Sequence, residues 1–314
     1  MSSTGSPPST VRTRPDRCPG VLRPWPADDG LLVRLRLVGG LLPARSLRAL
    51  AAVAEEYGDG RIHVTGRANL QLRALPGERG QLSPAVFRAL RSTGLLPSLT
   101  HELVRNVMVS PSVPEKTTGD EGTPSRTAPS HRAKRSVGRA DLRPVAAALD
   151  ELLCAAPRRA DLPGRFLFVL DDGRGDLRGR PCDLGLVALD GCVAQIRVGE
   201  GWGPLTPLDE AAAALVRFAD AFLDRRGDEP TSPWHVTELT SPLTDPVPPD
   251  PRLPDPVPAL PHGPLPGGGR HVPVPDEGLD RSAAEAFAEE ASIAGPGELV
   301  VTPWRGLLLP GAGR

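Results

Sequence analysis

One tract of this chain is written twice. Ile62-His63-Val64-Thr65-Gly66-Arg67, followed by Leu72-Arg73-Ala74-Leu75-Pro76, is echoed near the other end by Leu299-Val300-Val301-Thr302-Pro303-Trp304-Arg305, followed by Leu307-Leu308-Leu309-Pro310. Each copy sets two short apolar runs on either side of a turn, the pattern of a β-hairpin. A hairpin with one helix cannot cover its own apolar face. The duplication therefore predicts two half-units that pack about a pseudo-two-fold axis and close one sheet between them. The competing origin of the echo is chance, because 38 prolines and 34 glycines fill nearly a quarter of the 314 residues and recur in many turns.

The segments around each copy follow a similar order. Residues 32–37, Leu-Val-Arg-Leu-Arg-Leu, alternate apolar and basic side chains as a strand with one buried and one wet face does, and Gly39-Gly40 end it. Leu47, Leu50, Ala54 and Tyr57 then recur on one helical face between Pro43 and Gly58. Short strands are predicted at 62–65 and 69–73, and a helix at 84–92 capped by Ser83. In the second half-unit, strands at 271–274, 299–302 and 307–310 accompany a helix over 280–291.

Between the half-units the pattern predicts a helix after Asp141, strands at 166–170, 184–189 and 193–198, and an amphipathic helix over 208–225 carrying Leu215, Phe218 and Phe222. Trp234-His235-Val236-Thr237 reads as a closing strand. The expected division is a Ser/Thr/Pro-rich disordered tail at 1–13, a first half-domain at 14–98 and an α/β domain at 99–239 with a flexible insertion at 115–139. A Pro/Gly-rich linker at 240–269, outside both cores, leads to the second half-domain at 270–314.

Charge and cysteine usage narrow the function. Lys and Arg number 37 against 38 Asp and Glu, so the formal charge of -1 supplies no global field for nucleic acid. With no apolar core near the N-terminus and no apolar run long enough for a bilayer, neither a signal peptide nor a membrane span is expected, which places the chain in the cytoplasm. Cys18, Cys154, Cys182 and Cys192 contain no CxxC pair, which argues against a zinc knuckle and a thioredoxin-like redox pair. Asp171-Asp172-Gly173 reads as a turn rather than a magnesium site, and no metal-ligand set is predicted. Arg67, Arg73, Arg105 and Arg165 stand at the ends or turns of apolar strands. Their planar forks suit carboxylates, and several in one cleft would bind a polyanion. The alternative for each is a solvent-facing guanidinium with its stem packed on the sheet.

Family likeness adds to this reading. Asp29-Gly30, Leu35-Arg36, Gly39-Gly40 and Val64-Thr65-Gly66-Arg67-Ala68-Asn69-Leu70-Gln71-Leu72-Arg73 resemble the ferredoxin-like half-domain of the sirohaem-dependent nitrite and sulfite reductases. Leu103-Val104-Arg105-Asn106-Val107 resembles the arginine motif that opens their first haem-contacting domain, and Thr302-Pro303-Trp304-Arg305 resembles their second half-domain. Residues 14–24, with 162–168 and 171–176, are similar more specifically to the precorrin-3B synthase branch of cobalamin biosynthesis.

The resemblance implies an α/β (α+β) fold of two ferredoxin-like half-domains related by pseudo-two-fold symmetry, with one sirohaem-reductase-like α/β domain between them. It implies a basic cleft for an anionic tetrapyrrole. Arg67, Arg105 and Arg165 would carry catalysis there, and Arg67, Asn69, Gln71, Arg73, Arg105 and Asn106 would hold sirohaem. Arg165 falls where the reductases have the first of two active-site lysines, and Leu167 falls at the second. A leucine carries no charge and delivers no proton, which weakens the reading as a sulfite or nitrite reductase. The family's 4Fe-4S cluster rests on a Cys-x5-Cys and a later Cys-x3-Cys beyond the second half-domain. This chain ends at Arg314, so the cluster is not expected in it alone and a separate polypeptide would supply that domain. The resulting expectation is an oxidoreductase-family protein of the precorrin-3B synthase type that is incomplete as a lone catalyst. Its alternatives are a non-catalytic homologue that binds a tetrapyrrole or a partner protein, and a non-functional truncated chain.

Overall fold

The chain opens on a hairpin of Trp25–Ala27 (β1) and Gly30–Leu35 (β2), followed by Leu41–Pro43 (β3) and the helix Ala44–Tyr57 (α1). His63–Val64 (β4) and Leu70–Leu75 (β5) complete a sheet of order β1-β2-β5-β4. A small hairpin, Gly77–Glu78 (β6) and Gln81–Leu82 (β7), leads to Pro84–Ser92 (α2), which starts where the Ser83 hydroxyl accepts the Val86 N–H. The computed structural model describes residues 13–111, 138–229, 231–265 and 268–311. The tail at 1–13 and the insertion at 115–139 lie almost wholly outside the described residues.

The middle of the chain forms a second layer. Val107–Val109 (β8), the helix Arg143–Ala155 (α3), Phe168–Asp171 (β9), Leu184–Ala188 (β10), Val193–Val198 (β11), Gly201–Pro207 (β12) and the helix Leu208–Arg226 (α4) build a sheet of order β12-β11-β10-β9-β8 with two helices packed together. β8, β9 and β10 run parallel, and β11 and β12 are antiparallel additions. Strand alternation splits the chain at β9 between two faces. Phe166, Phe168 and Leu170 enter the core under α3 and α4, whereas Leu167 and Val169 point to the opposite side with Met108 and Leu177.

The last segment returns to the first. Gly263–Pro264 (β13), Arg270–Pro273 (β14), the helix Arg281–Ala294 (α5), Glu298–Thr302 (β15) and Gly306–Leu309 (β16) form a sheet of order β13-β14-β16-β15-β3. β3 is thus donated by the first half-unit, with Leu42 opposite Leu299. The donation is reciprocated just before α5. Ile62 and Leu279 exchange backbone hydrogen bonds of 2.8 and 2.9 Å, so each half gives the residues ahead of its helix to the strand after the other's helix. Each donated piece follows a left-handed glycine, Gly40 at φ 72° and Gly278 at φ 89°. A Cβ on Gly40 would lie 2.1 Å from the Val301 carbonyl oxygen, and one on Gly278 would lie 2.8 Å from that of Ile62.

The repeated tract also folds alike. The Thr65 and Thr302 hydroxyls each accept the N–H four residues on, from Asn69 and Gly306, at 3.2 Å. Ala68 and Arg305 occupy the same left-handed position in the two turns, at φ 57° and 54°. One continuous core joins the halves, in which Ala284, Ala288 and Ala291 of α5 give α1 room to bring Leu47, Leu50 and Ala54 close.

Several details depart from the sequence reading. The halves do not close a single sheet: β3 extends the second half's ladder, the return exchange at Ile62 and Leu279 is a single bridge, and the larger shared layer is α1 against α5. Residues 234–237 are not a strand. Asp183 captures the Val236 N–H at 3.0 Å, and Val236–Glu238 winds into a 3-10 turn. β12 was hidden by Gly201, Gly203 and Pro204, which an edge strand tolerates. The stretch at 240–269 is pinned along its length: Gln195 bonds Pro248 O and Asp250 N–H at 2.9 and 2.8 Å, Val257 N–H donates to Gly175 O at 3.1 Å, and Leu243 and Leu265 are buried. No described helix is long and apolar enough to cross a membrane.

Gly40→Ala should destabilise the fold by about 3 kcal/mol or more, since a methyl group there meets backbone of the other half in a conformation that L residues avoid. Gly191→Ala, whose nearest neighbour would be 3.8 Å away, should stay within about 0.5 kcal/mol of wild type. Urea denaturation of both variants checks the contrast.

Candidate anion-binding site

The two layers meet at the turn Pro163-Gly164-Arg165, ahead of β9. Gly164 O accepts from Arg36 Nη2 at 3.3 Å and from Asn106 Nδ2 at 2.9 Å, and its N–H donates to Asp16 Oδ2 at 2.6 Å. Arg165 O accepts from Arg67 Nη1 at 3.0 Å. Beneath them Asn69 Nδ2 donates to Asn106 Oδ1 at 2.9 Å, and Asn69 Oδ1 accepts the Leu37 N–H at 3.0 Å. This buried amide pair fixes the ends of β2, β5 and β8 to one another.

Guanidinium groups crowd this junction. Arg34 of β2 donates to Gln71 Oε1 at 3.4 Å, and its Nε is buried without a partner. Burial, and then the positive charges of Arg67 and Arg165, hold the Arg34 pKa below its ordinary value. Arg36 is only 3% exposed and donates to three carbonyls, those of Pro19, Glu102 and Gly164, while its Nε also lacks a partner. Burial is the main cause that takes its pKa down to about 10, which leaves it cationic at neutral pH.

Acidic neighbours are few and committed elsewhere. Glu102 accepts the N–H groups of Val21 and Leu22 at 2.6 and 2.7 Å, and burial raises its pKa. Asp16 holds Gly164 and Cys18 N–H and lies 3.7 Å from Arg165, whose guanidinium stacks 5.2 Å from the Trp234 ring. Positive charge is therefore in excess at the junction.

The residues singled out from sequence divide into three groups. Arg67 and Arg165 meet at the junction, with Gln71 beside Arg34. Asn69 and Asn106 lie beneath it and spend their amides on each other and on backbone. Arg73 and Arg105 point elsewhere. Arg73 pairs with Asp29 at 3.1 Å, and Arg105 forms a two-pronged bridge to Asp150 of α3 at 2.6 and 2.7 Å. That bridge lines a cleft of about 420 Å³ with Leu37, Leu41, Val300 and Leu308, and Arg36 of the junction borders the same cleft. Sequence reasoning missed Arg34 and Arg36. The visible signal was two arginines inside an otherwise apolar strand, which alternation assigned to solvent.

Leu167 packs with Met108, Val169 and Leu177 against Cys182 and Trp304, so the side of the junction facing the second hairpin turn is apolar. The cysteines are dispersed: Cys18 is buried near Asp16, Cys154 sits on α3, Cys182 is pushed up to about 11 by burial, and Cys192 is exposed. Among the described residues the one group of three or more metal-ligating side chains is Asp171, Asp172 and Asp176, and no cysteine belongs to it. These thiols do not form a cradle for a 4Fe-4S cluster. The forked cations of the junction are of a kind that pairs with carboxylates.

Comparison with known proteins agrees with this architecture. Residues 26–91 match the nitrite/sulfite reductase ferredoxin-like half domain. A precorrin-3B synthase from a Sinorhizobium species is 42% identical over 72 residues, 23% of this chain and 16% of that protein. A ferredoxin–nitrite reductase from Leptolyngbya laminosa is 38% identical over 89 residues, 27% of this chain and 17% of that protein. The structure of Mycobacterium tuberculosis NirA superposes with a TM-score of 0.62 at 18% identity, covering 94% of this chain and 59% of that one. The matched stretch thus spans about a sixth of the curated relatives. The fold is of the ferredoxin-like half-domain kind, resembling NirA-type nitrite/sulfite reductases, and its first half-unit is homologous to that family.

Breaking the Arg105–Asp150 bridge tests whether it is architectural. Arg105→Met should cost about 3 kcal/mol by stranding Asp150, and adding Asp150→Leu should restore most of the loss. Thermal denaturation of the single and double variants measures both.

Proposed function

We propose that the chain binds an anionic tetrapyrrole in the basic junction and acts as an oxidoreductase-family protein of the precorrin-3B synthase type. The observation that carries the reading is the half-buried Arg34, with an unpartnered Nε and the like charges of Arg67 and Arg165 beside it. Such a cluster is costly unless an anion completes it. Peripheral carboxylates of a macrocycle would accept from Arg34 and Arg67, Arg165 would close the rim from its place over Trp234, and Asn69–Asn106 would hold that geometry from below.

Bound there, sirohaem would supply a redox-active iron. This chain's own residues bind and orient. Leu167, buried in an apolar cluster, stands where the resemblance puts a proton-delivering lysine, which disfavours a small oxyanion whose reduction consumes protons. The reciprocal exchange at Leu41–Pro43 and at Ile62–Leu279, together with the matching threonine turns, supports pseudo-two-fold symmetry between the half-domains.

The second reading is a homologue that holds a tetrapyrrole without redox chemistry. It is favoured by the dispersed cysteines, and a separate polypeptide bringing cluster ligands would restore the first. Titration with uroporphyrin, a polycarboxylated tetrapyrrole, tests the site common to both. Arg34→Ala and Arg67→Ala should each weaken binding by about 1–3 kcal/mol, while Arg48→Ala, at an exposed pair with Glu289, should not change it. Unchanged affinity in the first two variants would remove the junction as the binding site.

A further inference from the structure

Between β9 and β10 the chain makes a loop whose internal bonds lead to one side chain. The Asp171 carboxylate accepts the N–H groups of Gly173, Gly175 and Leu177, each at 2.9 Å. Arg174 folds onto Asp172 and Asp176 at 3.1 and 3.4 Å, and Ser110 donates to Asp176 at 2.5 Å. The acidic cluster is thereby explained as a loop organiser. Further along, Arg180 N–H donates to Leu177 O at 2.9 Å, and Arg197 of β11 donates from Nη1 to the carbonyls of Arg178 and Arg180 at 3.1 and 3.2 Å.

The backbone of Arg180 is therefore held from both sides, and its guanidinium is delivered between the two repeated turns. Nη1 donates to Gly66 O at 3.4 Å and Nη2 to Pro303 O at 3.1 Å. Gly66 and Pro303 are equivalent: each follows the threonine that closes its turn. One fork thus spans two matching carbonyls, one from each half-unit, and a lysine at this position could engage only one of them with comparable geometry.

We propose that Arg180 is a positioning residue that couples the two hairpin turns, so that the placement of Arg67, one residue after Gly66, is set by the second half-unit through the α/β domain. Arg180 acts through the backbone of the turn. Pulling the Gly66 carbonyl towards the loop fixes the peptide from which Arg67 leaves to reach Arg165 O. Only the ligand-binding arm of the test below rests on the tetrapyrrole reading.

Amide hydrogen exchange on the full ligand-free chain reads the coupling directly. Arg180→Ala should raise exchange at residues 65–69 and 302–306 together by about tenfold or more, with α4 and β10 at wild-type rates, and Arg180→Lys should recover protection in at most one turn. No change in either turn, or a uniform rise across the chain, would overturn the proposal. In the second arm Arg180→Ala should weaken uroporphyrin binding about tenfold, and the Arg67→Ala/Arg180→Ala double variant should bind no worse than Arg67→Ala alone. Additive losses would show instead that Arg180 contacts the ligand itself. If the wild-type chain does not bind uroporphyrin, the functional reading fails and the exchange arm decides the role of Arg180.

Discussion

Two short backbone exchanges, β3 with β15 and Ile62 with Leu279, hold the two half-units against one another. Each requires the donating chain to pass within van der Waals distance of the other half's carbonyls, which is why glycines in left-handed conformations stand at positions 40 and 278. Once the exchanges form, α1 and α5 are brought face to face, and their small side chains let one core serve both halves. The two threonine turns then lie within reach of a single guanidinium from the α/β domain. The backbone pairing thus sets the two turns facing one another.

The junction itself is an electrostatic tension set inside that frame. Moving a guanidinium out of water is unfavourable unless acceptors or an anion replace the lost hydration. Arg36 meets the requirement with three carbonyls, and remains charged although burial takes its pKa down to about 10. Arg34 meets it only in part. On the proposal above, a carboxylate at the Arg34 guanidinium would offset the like charges of Arg67 and Arg165, and its binding would then stabilise this part of the fold. Beside the cations, Leu167 and Met108 are buried with Val169 and Leu177 in a small apolar cluster that Trp304 partly covers, so this side of the junction is dry packing rather than open surface.

Much of the scaffold was legible because it depends on local pattern. The stripe of Leu47, Leu50 and Ala54, the Ser83 cap and the repeated hairpin all write their structure into near neighbours. The site was less legible because its chemistry depends on distant partners. Arg105 stands in a recognisable motif, yet Asp150, 45 residues on, takes its guanidinium. Alternation along β2 rightly buried Val33 and Leu35 but sent Arg34 and Arg36 to solvent, since periodicity cannot see the N-terminal segment and the Gly164 turn that cover them. Arg180 sits in a loop of no periodicity, and only the meeting of Gly66 with Pro303 across 237 residues gives it a purpose.

A crystal structure of the full chain with bound uroporphyrin addresses the central claim most directly. The account predicts peripheral carboxylates within hydrogen-bonding distance of Arg34 and Arg67, with the macrocycle edge against Arg165. Density for the macrocycle in the cleft between Arg105 and Leu41, with no carboxylate at Arg34 or Arg67, would contradict it.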